Sequence, residues 1–158
     1  MGIMGFWGRL ASCALLLSAL AAAMPSGRAV EPKSLRDQLV GTWILVSAID
    51  IRKDGSEVDR WGPNPKGTFI FTADGRYAQV ILRTDAWFGA RNAASFGTYS
   101  VNERDKILIT RVEASSNQHY SGTDRKRTIL SVTDDEMVYL NPATSSGTSV
   151  RAVWKRAR

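Results

Sequence analysis

The stretch GTFIFTADGRYAQVILR, residues 67–83, sets two β-rich runs on either side of Asp74-Gly75. An Asp-Gly pair supplies the left-handed backbone that a tight hairpin turn requires, and the flanking runs alternate aromatic or branched residues with smaller and polar ones. The reading is a strand over 68–73, a turn, and a returning strand over 76–83. The same grammar repeats outward in both directions. Toward the N-terminus, Gly41 to Ile51 carries Trp43, Ile44, Leu45, Val46, Ile49 and Ile51 and ends at the turn signal Lys53-Asp54-Gly55. A loop with two prolines, 61–67, separates that run from the hairpin, because proline bars regular pairing. Toward the C-terminus, turns at 102–105 and at Asp134-Asp135 and a polar loop over 115–123 cut the chain into further short runs. Eight strands are expected, over 41–51, 68–73, 76–83, 96–102, 106–114, 124–132, 136–141 and 148–156.

Short strands joined by sequential hairpins predict an all-β, antiparallel up-and-down meander. Closing eight of them removes the sheet edges and leaves an interior able to hold one small ligand. A β-sandwich is the alternative topology. One short helix is expected just before the first strand: Ser34-Leu35-Arg36-Asp37 opens like a capping box, and Leu35 and Leu39 share a face. It is placed to lid one end of the barrel. No internal repeat and no linker long enough for a second domain is present.

Residues 1–29 read as an address. They hold no acid and two bases, Arg9 and Arg28; an apolar run from Leu10 to Met24 follows Arg9, and Pro25, Ser26 and Gly27 break it before Ala29. That is the order of a secretory signal peptide, and the run is too short for an ordinary spanning helix. Cleavage is expected after Ala29, with Ala23 as the alternative. Leu10-Ala11-Ser12-Cys13 spells a lipobox, but it sits at the beginning of the apolar run, where a lipobox has no use. The expected division is therefore a signal peptide over 1–29, a short segment with the helix over 30–38, and a barrel domain over 39–158. The product is expected to be periplasmic or secreted, without a membrane anchor once cleaved, and monomeric.

The whole chain has 158 residues, 21 bases, 15 acids, one cysteine and one histidine. Removing 1–29 leaves 129 residues, a net charge of +4 and no cysteine. That excludes a disulfide scaffold and a Cys/His zinc site, and no metal or cofactor is expected. A modest, mixed charge on an exported chain also argues against nucleic acid.

Several residue groups, in order, carry a resemblance. Gly41-Thr42-Trp43 looks like the Gly-x-Trp signature of lipocalin-type barrels. After it come Gly62-Pro63-Asn64-Pro65-Lys66-Gly67, Thr72-Ala73-Asp74-Gly75, Phe96-Gly97-Thr98-Tyr99, Arg111-Val112-Glu113, Gly122-Thr123 and Val153-Trp154-Lys155-Arg156. From about Leu39 to Arg156 the chain resembles the bacterial lipocalin-like domain family, small barrels found alone or beside biosynthetic genes. It departs from that pattern at Ile109-Thr110, where many relatives carry His-His, and over 115–120. The resemblance implies a barrel and brings no established reaction.

Read physically, Gly41, Trp43, Trp154 and Arg156 are structural residues of barrel closure. Glycine permits close backbone approach, Trp43 plugs the closed end, and Arg156 or Arg151 on the last strand can stack on its indole. The candidate ligand-binding set is Tyr77, Gln79, Tyr99, Arg111, Glu113, Tyr120, Arg125 and Arg127. Arg111 with Glu113, and Arg125 with Arg127, share strand faces by the two-residue period. Inside a barrel they can bind a carboxylate or phenolate; outside they form a salt-bridged surface. Trp61, Trp87, Phe88 and Tyr120 are aromatic loop residues suited to a pocket rim. On the first strand, Trp43, Leu45, Ile49 and Ile51 fall on one face and Ile44, Val46 and Ala48 on the other.

Chemistry has few candidates. Glu113 and His119 are the acid and base an enzyme would draw on, beside Arg111 and Tyr99, and Gly-x-Ser-x-Gly and a phosphate-cradling loop are absent. The leading expectation is an exported binder of a small apolar or amphipathic ligand, held in the lumen without chemistry. The alternative is a small barrel enzyme of isomerase or cyclase type acting on a bound hydrophobic substrate. A third class is an exported protease-inhibitor-like interaction protein. Inhibitors on such barrels carry a disulfide and a free N-terminal trunk, and this mature chain has neither.

Overall fold

Each strand of the chain finds its partner in its sequence neighbour, as hairpin connections dictate. The computed structural model describes residues 32–62, 64–83, 92–142 and 147–158. The expected signal segment and the loop aromatics Trp87 and Phe88 lie outside the described residues. A short helix α1 (Leu35–Leu39) precedes β1 (Gly41–Ile51), β2 (Glu57–Asp59), β3 (Lys66–Phe71), β4 (Arg76–Leu82), β5 (Ala93–Asn102), β6 (Ile107–Ser115), β7 (Asp124–Val132), β8 (Glu136–Asn141) and β9 (Ser149–Arg156). The sheet runs β2-β1-β3-β4-β5-β6-β7-β8-β9, and β1 also pairs with β9. All pairings are antiparallel, so β1 and β3 to β9 close an eight-stranded up-and-down barrel. The Asp74-Gly75 turn joins β3 and β4 as expected, with Phe71 opposite Tyr77, so that three residues, 73–75, make the connection.

Two departures from the expected strands follow from local geometry. The signal at Lys53-Asp54-Gly55 does form a hairpin, but it leads into the three-residue β2, which pairs with Ile49–Ile51. β3 then covers only the first part of β1, Gly41 to Ile44. The second departure is a β-bulge between Leu45 and Ser47 against β9. An extra residue reverses the in-out alternation. Trp43 and Leu45 point in, and after the bulge Ala48 does, opposite Ala152. Ile49 and Ile51 are therefore not on the face of Trp43, contrary to strict alternation. On the outer face Ile44 and Val46 remain exposed.

The core lies toward one end. Ser34 caps α1 by accepting from the Asp37 N–H, and Leu39 is fully buried at its close. Trp43 sits beneath it, donating its indole N–H to the Leu39 carbonyl at 2.8 Å. Around Trp43 gather Phe69, Phe71, Tyr77, Tyr99, Leu108, Ile129, Met137 and Trp154. Phe69 packs edge-on against Tyr77, Tyr139 and Trp154, at centroid separations of 5.5–6.4 Å. Arg156 straps this end from outside the core. Its guanidinium lies 4.1 Å from the Trp43 ring centroid and donates to the carbonyls of Val40, Gln38 and Asp134 at 2.8, 2.7 and 2.6 Å. Position 41 needs glycine for that reason. A Cβ there would stand 2.6 Å from the Arg156 Nη1, on a backbone with φ of +133°. Arg151, the other candidate for the indole, pairs instead with Glu57 at 3.1 Å.

Candidate functional site

Past the aromatic layer the same strands carry smaller side chains. Ala48 on β1, Ala93 on β5, Val112 on β6, and Val150 and Ala152 on β9 face inward there, with Ile81 on β4. They leave a cavity of about 120 Å³ in the open half of the barrel. Its polar lining includes Gln79, Arg125, Arg127, Tyr139, Asn141, Ser95 and Ser115 on strands and Arg60, Trp61 and Tyr120 at the mouth. Outside the mouth a wider groove of about 700 Å³ shares Arg60, Trp61, Ala93, Ser115 and Tyr120 with the cavity and extends over His119. The interior cavity and the outer vestibule thus adjoin across the Trp61 and Tyr120 side chains.

At the boundary between core and cavity sits Arg127. Alternation along β7 turns Arg125, Arg127 and Ile129 inward and leaves Lys126, Thr128 and Leu130 outside. Arg127 is only 7% exposed. Its Nη1 donates to the Thr110 Oγ1 at 2.8 Å and its Nη2 to the Gln79 Oε1 at 3.4 Å. Gln79 in turn donates through Nε2 to the Tyr139 hydroxyl at 3.3 Å. The guanidinium carbon lies 5.5 Å from the ring centroids of both Phe69 and Tyr139. The Arg127 Nε is buried with no hydrogen-bond partner, and among the described residues no carboxylate pairs with this side chain.

The other two arginines of the lining are matched. Arg60 pairs with Asp50 at 2.5 Å; Asp50 follows Ala48 on the inward side of β1 after the bulge. Arg125 lies 3.8 Å above the Tyr120 ring.

Of the candidate ligand-binding residues, Gln79, Tyr120, Arg125 and Arg127 line this cavity. Tyr77 and Tyr99 do not. Both are buried in the closed half: Tyr77 against Phe69, Tyr99 against Phe71, its hydroxyl donating to the Thr72 carbonyl at 3.0 Å. Burial holds the Tyr99 phenol above its ordinary range, with nearby Arg36 pulling the other way. Arg111 and Glu113 are a correction to the lumen expectation. The inward set on β6 is Leu108, Thr110 and Val112, so Arg111 and Glu113 stand on the outer surface. There they pair with Asp124 at 3.3 Å and Arg76 at 2.9 Å. His119 is exposed on the short turn Gln118–Tyr120, facing the vestibule. The enzyme alternative requires at least two of Glu113, Arg111, Tyr99 and His119 in one pocket. Tyr99 and Arg111 border one outer groove, where the Tyr99 hydroxyl is engaged by the Thr72 carbonyl, and Glu113 and His119 lie elsewhere. No cluster of metal-ligating side chains exists among the described residues.

Sequence reasoning missed Thr110, Arg60 and Asp50. Thr110 is the position where the resemblance expects a His pair, and its buried hydroxyl accepts from Arg127. Arg60 and Asp50 owe their placement to β2, whose hairpin the Lys53-Asp54-Gly55 turn does signal, and to the β1 bulge, which has no signal in the residues themselves.

No family model matches the chain, and no curated protein matches it. Among solved structures it is similar to a lipocalin-like protein from Bacteroides uniformis, at 12% identity over 76% of this chain and 99% of that one, with a TM-score of 0.49. A de novo designed fluorescence-activating β-barrel matches at 15% identity over 80% of this chain and 100% of that one, TM-score 0.47. A biogenic amine-binding protein matches at 14% identity over 75% of this chain and 64% of that one, TM-score 0.47. These likenesses concern the barrel; none lends this chain a ligand or a site residue.

Proposed function

We propose that this protein is an exported, lipocalin-like barrel that binds one small amphipathic molecule in its open half and performs no chemistry on it. The observation that carries the reading is the cavity itself, held open by alanines and valines above a fully packed aromatic layer. Packed interiors rarely keep a void of this size without a use, because each missing contact costs stability. At about 120 Å³ it is close to the ~150 Å³ engineered cavity that takes up benzene and well below the ~300–1,000 Å³ of drug-sized sites. The ligand portion inside the barrel is accordingly about one ring in size, and any larger body extends into the vestibule between Trp61 and His119. Closure of β1 on β9 leaves no long free barrel edge, which favours a monomer.

The test is to express the full chain in a bacterial host and recover the processed protein from the periplasm or medium. Organic extraction followed by mass spectrometry is expected to release a small molecule, and refilling the emptied barrel is expected to raise its Tm. An emptied barrel indifferent to every ring-sized compound would end the reading. N-terminal sequencing of the same material is expected to begin at Val30. A start at Met24 moves the cut to the alternative site, and an intact Met1 on cell-bound material overturns the export proposal.

A further inference from the structure

The interior cation at the floor of the cavity identifies the ligand's class. We infer that the lumen is a receptor for a small monocarboxylate, one ring or a short branched chain bearing a single COO⁻ group, and that Arg127 is its anchor. The inference deepens the lumen-binding reading and rests on it.

A guanidinium keeps its charge at every accessible pH, so Arg127 cannot relieve burial by losing a proton as a lysine can. Burying such a charge is costly unless an anion or a full set of acceptors meets it. Here two of the five N–H groups find neutral acceptors, Thr110 and Gln79. The Nε–H finds none, and no carboxylate among the described residues approaches it. Thr110 and Gln79 hold the fork from one side, while the rings of Phe69 and Tyr139 hold its plane. Gln79 is itself oriented by Tyr139, which fixes its oxygen toward Arg127. The guanidinium is thus immobilised with donor capacity unused, which is the arrangement that suits a planar, two-oxygen acceptor.

The rest of the lining points to the same charge. Among the described residues three arginines border the cavity and no carboxylate does. Arg60 is answered by Asp50, and Arg125 is part-exposed and rests on Tyr120, so Arg127 is the buried cation of the lining that no acid among the described residues meets. One buried, acid-free cation among the described residues, in a cavity of ring size walled by Ala48, Ile81, Val112, Val150 and Ala152, fits one carboxylate on an apolar body. A dianionic phosphate ester would bring a second charge that, in the described lining, only the part-exposed Arg125 could meet.

The experiment uses the exported full-chain product, emptied by extraction, and four probes of matched shape: benzoate, benzamide, benzyl alcohol and phenyl phosphate. Affinities are read by calorimetry at neutral pH. Benzoate is expected to bind about tenfold or more tightly than benzamide and benzyl alcohol, the factor a charge-assisted pair commands over a neutral one. In the unaltered protein the ¹⁵N–¹H resonance of the Arg127 Nε is expected to shift on adding benzoate and not on adding benzamide. R127M is expected to lose the preference for benzoate while retaining benzyl alcohol, and R127K to keep the preference at reduced affinity. Should R127M fail to fold, the Nε resonance and R127K still decide the matter.

Equal binding of benzoate and benzamide overturns the carboxylate inference and leaves a neutral-ligand lumen standing. Benzoate binding that survives unchanged in R127M, or leaves the Nε resonance still, overturns Arg127 as anchor. Tighter binding of phenyl phosphate than benzoate overturns the carboxylate class. Failure of all four probes overturns the lumen-binding reading along with it.

Discussion

The two halves of the barrel are built from the same strands, yet they are filled by opposite rules. In the closed half, inward positions hold Trp43, Phe69, Phe71, Tyr77, Met137 and Trp154, and all are essentially excluded from solvent. In the open half the inward positions of those strands or their neighbours hold Ala48, Ala93, Val112, Val150 and Ala152, and a cavity remains. β9 shows the contrast within one strand: Trp154 belongs to the plug, and Ala152 and Val150 border the void. Side-chain volume along a single strand face thus decides where the molecule is stabilised and where it keeps room for a ligand. The difference also explains how an incompletely satisfied arginine is tolerated. Dispersion and burial in the closed half hold the barrel, so the open half can carry a polar network whose arginine is not fully satisfied.

The strongest way to break this comparison is to cut into each half in turn. Trp43→Ala is expected to cost ~3–5 kcal/mol, because it empties the plug and leaves the Arg156 guanidinium without its ring. Ile81→Val at the cavity wall is expected to cost only ~0.5–1.5 kcal/mol. Urea unfolding of both variants reads the difference directly. Similar losses at the two positions would mean that stability is spread evenly, and the division into plug and lumen would have to go.

Next in size is the strap. Arg156 joins the α1–β1 junction to the turn before β8 by donating to three carbonyls. Arg156→Met keeps a long apolar side chain over Trp43 but removes every donor, and is expected to cost about 2 kcal/mol through acceptors left unpaired. Its effect on ligand affinity is expected to be nil, since the strap stands at the end away from the cavity. A thermal melt combined with a binding titration separates those two consequences.

Ala152→Leu reverses the logic. Extra methylenes enter an existing void of about 120 Å³, so the usual penalty for overfilling a core is expected to shrink to ~1 kcal/mol or less. Ligand uptake, measured by calorimetry, is expected to disappear. A variant that still binds as well as the parent would place the ligand in the outer vestibule instead.

How far this contrast is legible in the residues depends on where alternation is clean. Asp74-Gly75 between two β-rich runs gives one hairpin outright, and its repetition gives the meander. On β7 the run Arg125-Lys126-Arg127-Thr128-Ile129 places Arg127 on the face of an apolar Ile129, which is enough to bring it inside. On β6 the run Ile107-Leu108-Ile109-Thr110-Arg111-Val112-Glu113 has apolar residues on both faces, so parity alone cannot say whether Thr110 or Arg111 points inward. Only the pairing of Thr110 opposite Arg125 and of Arg111 opposite Asp124 resolves it. The β1 bulge is silent for a different reason. Leu45-Val46-Ser47-Ala48 contains nothing that marks an extra residue, and Asp50 gains its place beside Arg60 through it. The charge of the cavity was therefore legible at Arg127 and illegible at Arg60 and Asp50.

The smallest expected effect concerns Tyr99, which tests whether the closed half is energetically separate from the lumen. Its hydroxyl donates to the carbonyl of Thr72, at the hairpin that begins the plug, and burial keeps the phenol protonated beyond its ordinary value of 10.0. A raised pKa in the folded state means that the contribution is fully present below pH ~10 and is lost as pH climbs through the folded value, since the unfolded chain ionises first. The parent's stability is thus expected to decline above pH ~10, with the Tyr99 phenol as one source. Tyr99→Phe removes that source. It is expected to lose about 1 kcal/mol at neutral pH with its hydrogen bond and to show a shallower alkaline decline. Urea unfolding at a series of pH values measures both terms. Ligand affinity at neutral pH should be untouched, because Tyr99 packs against Phe71 and not against the cavity. An affinity change in Tyr99→Phe would show that the aromatic layer transmits to Arg127 through Phe71 and Phe69, whose rings stand 4.2 Å apart. Plug and receptor would then be one cooperative unit.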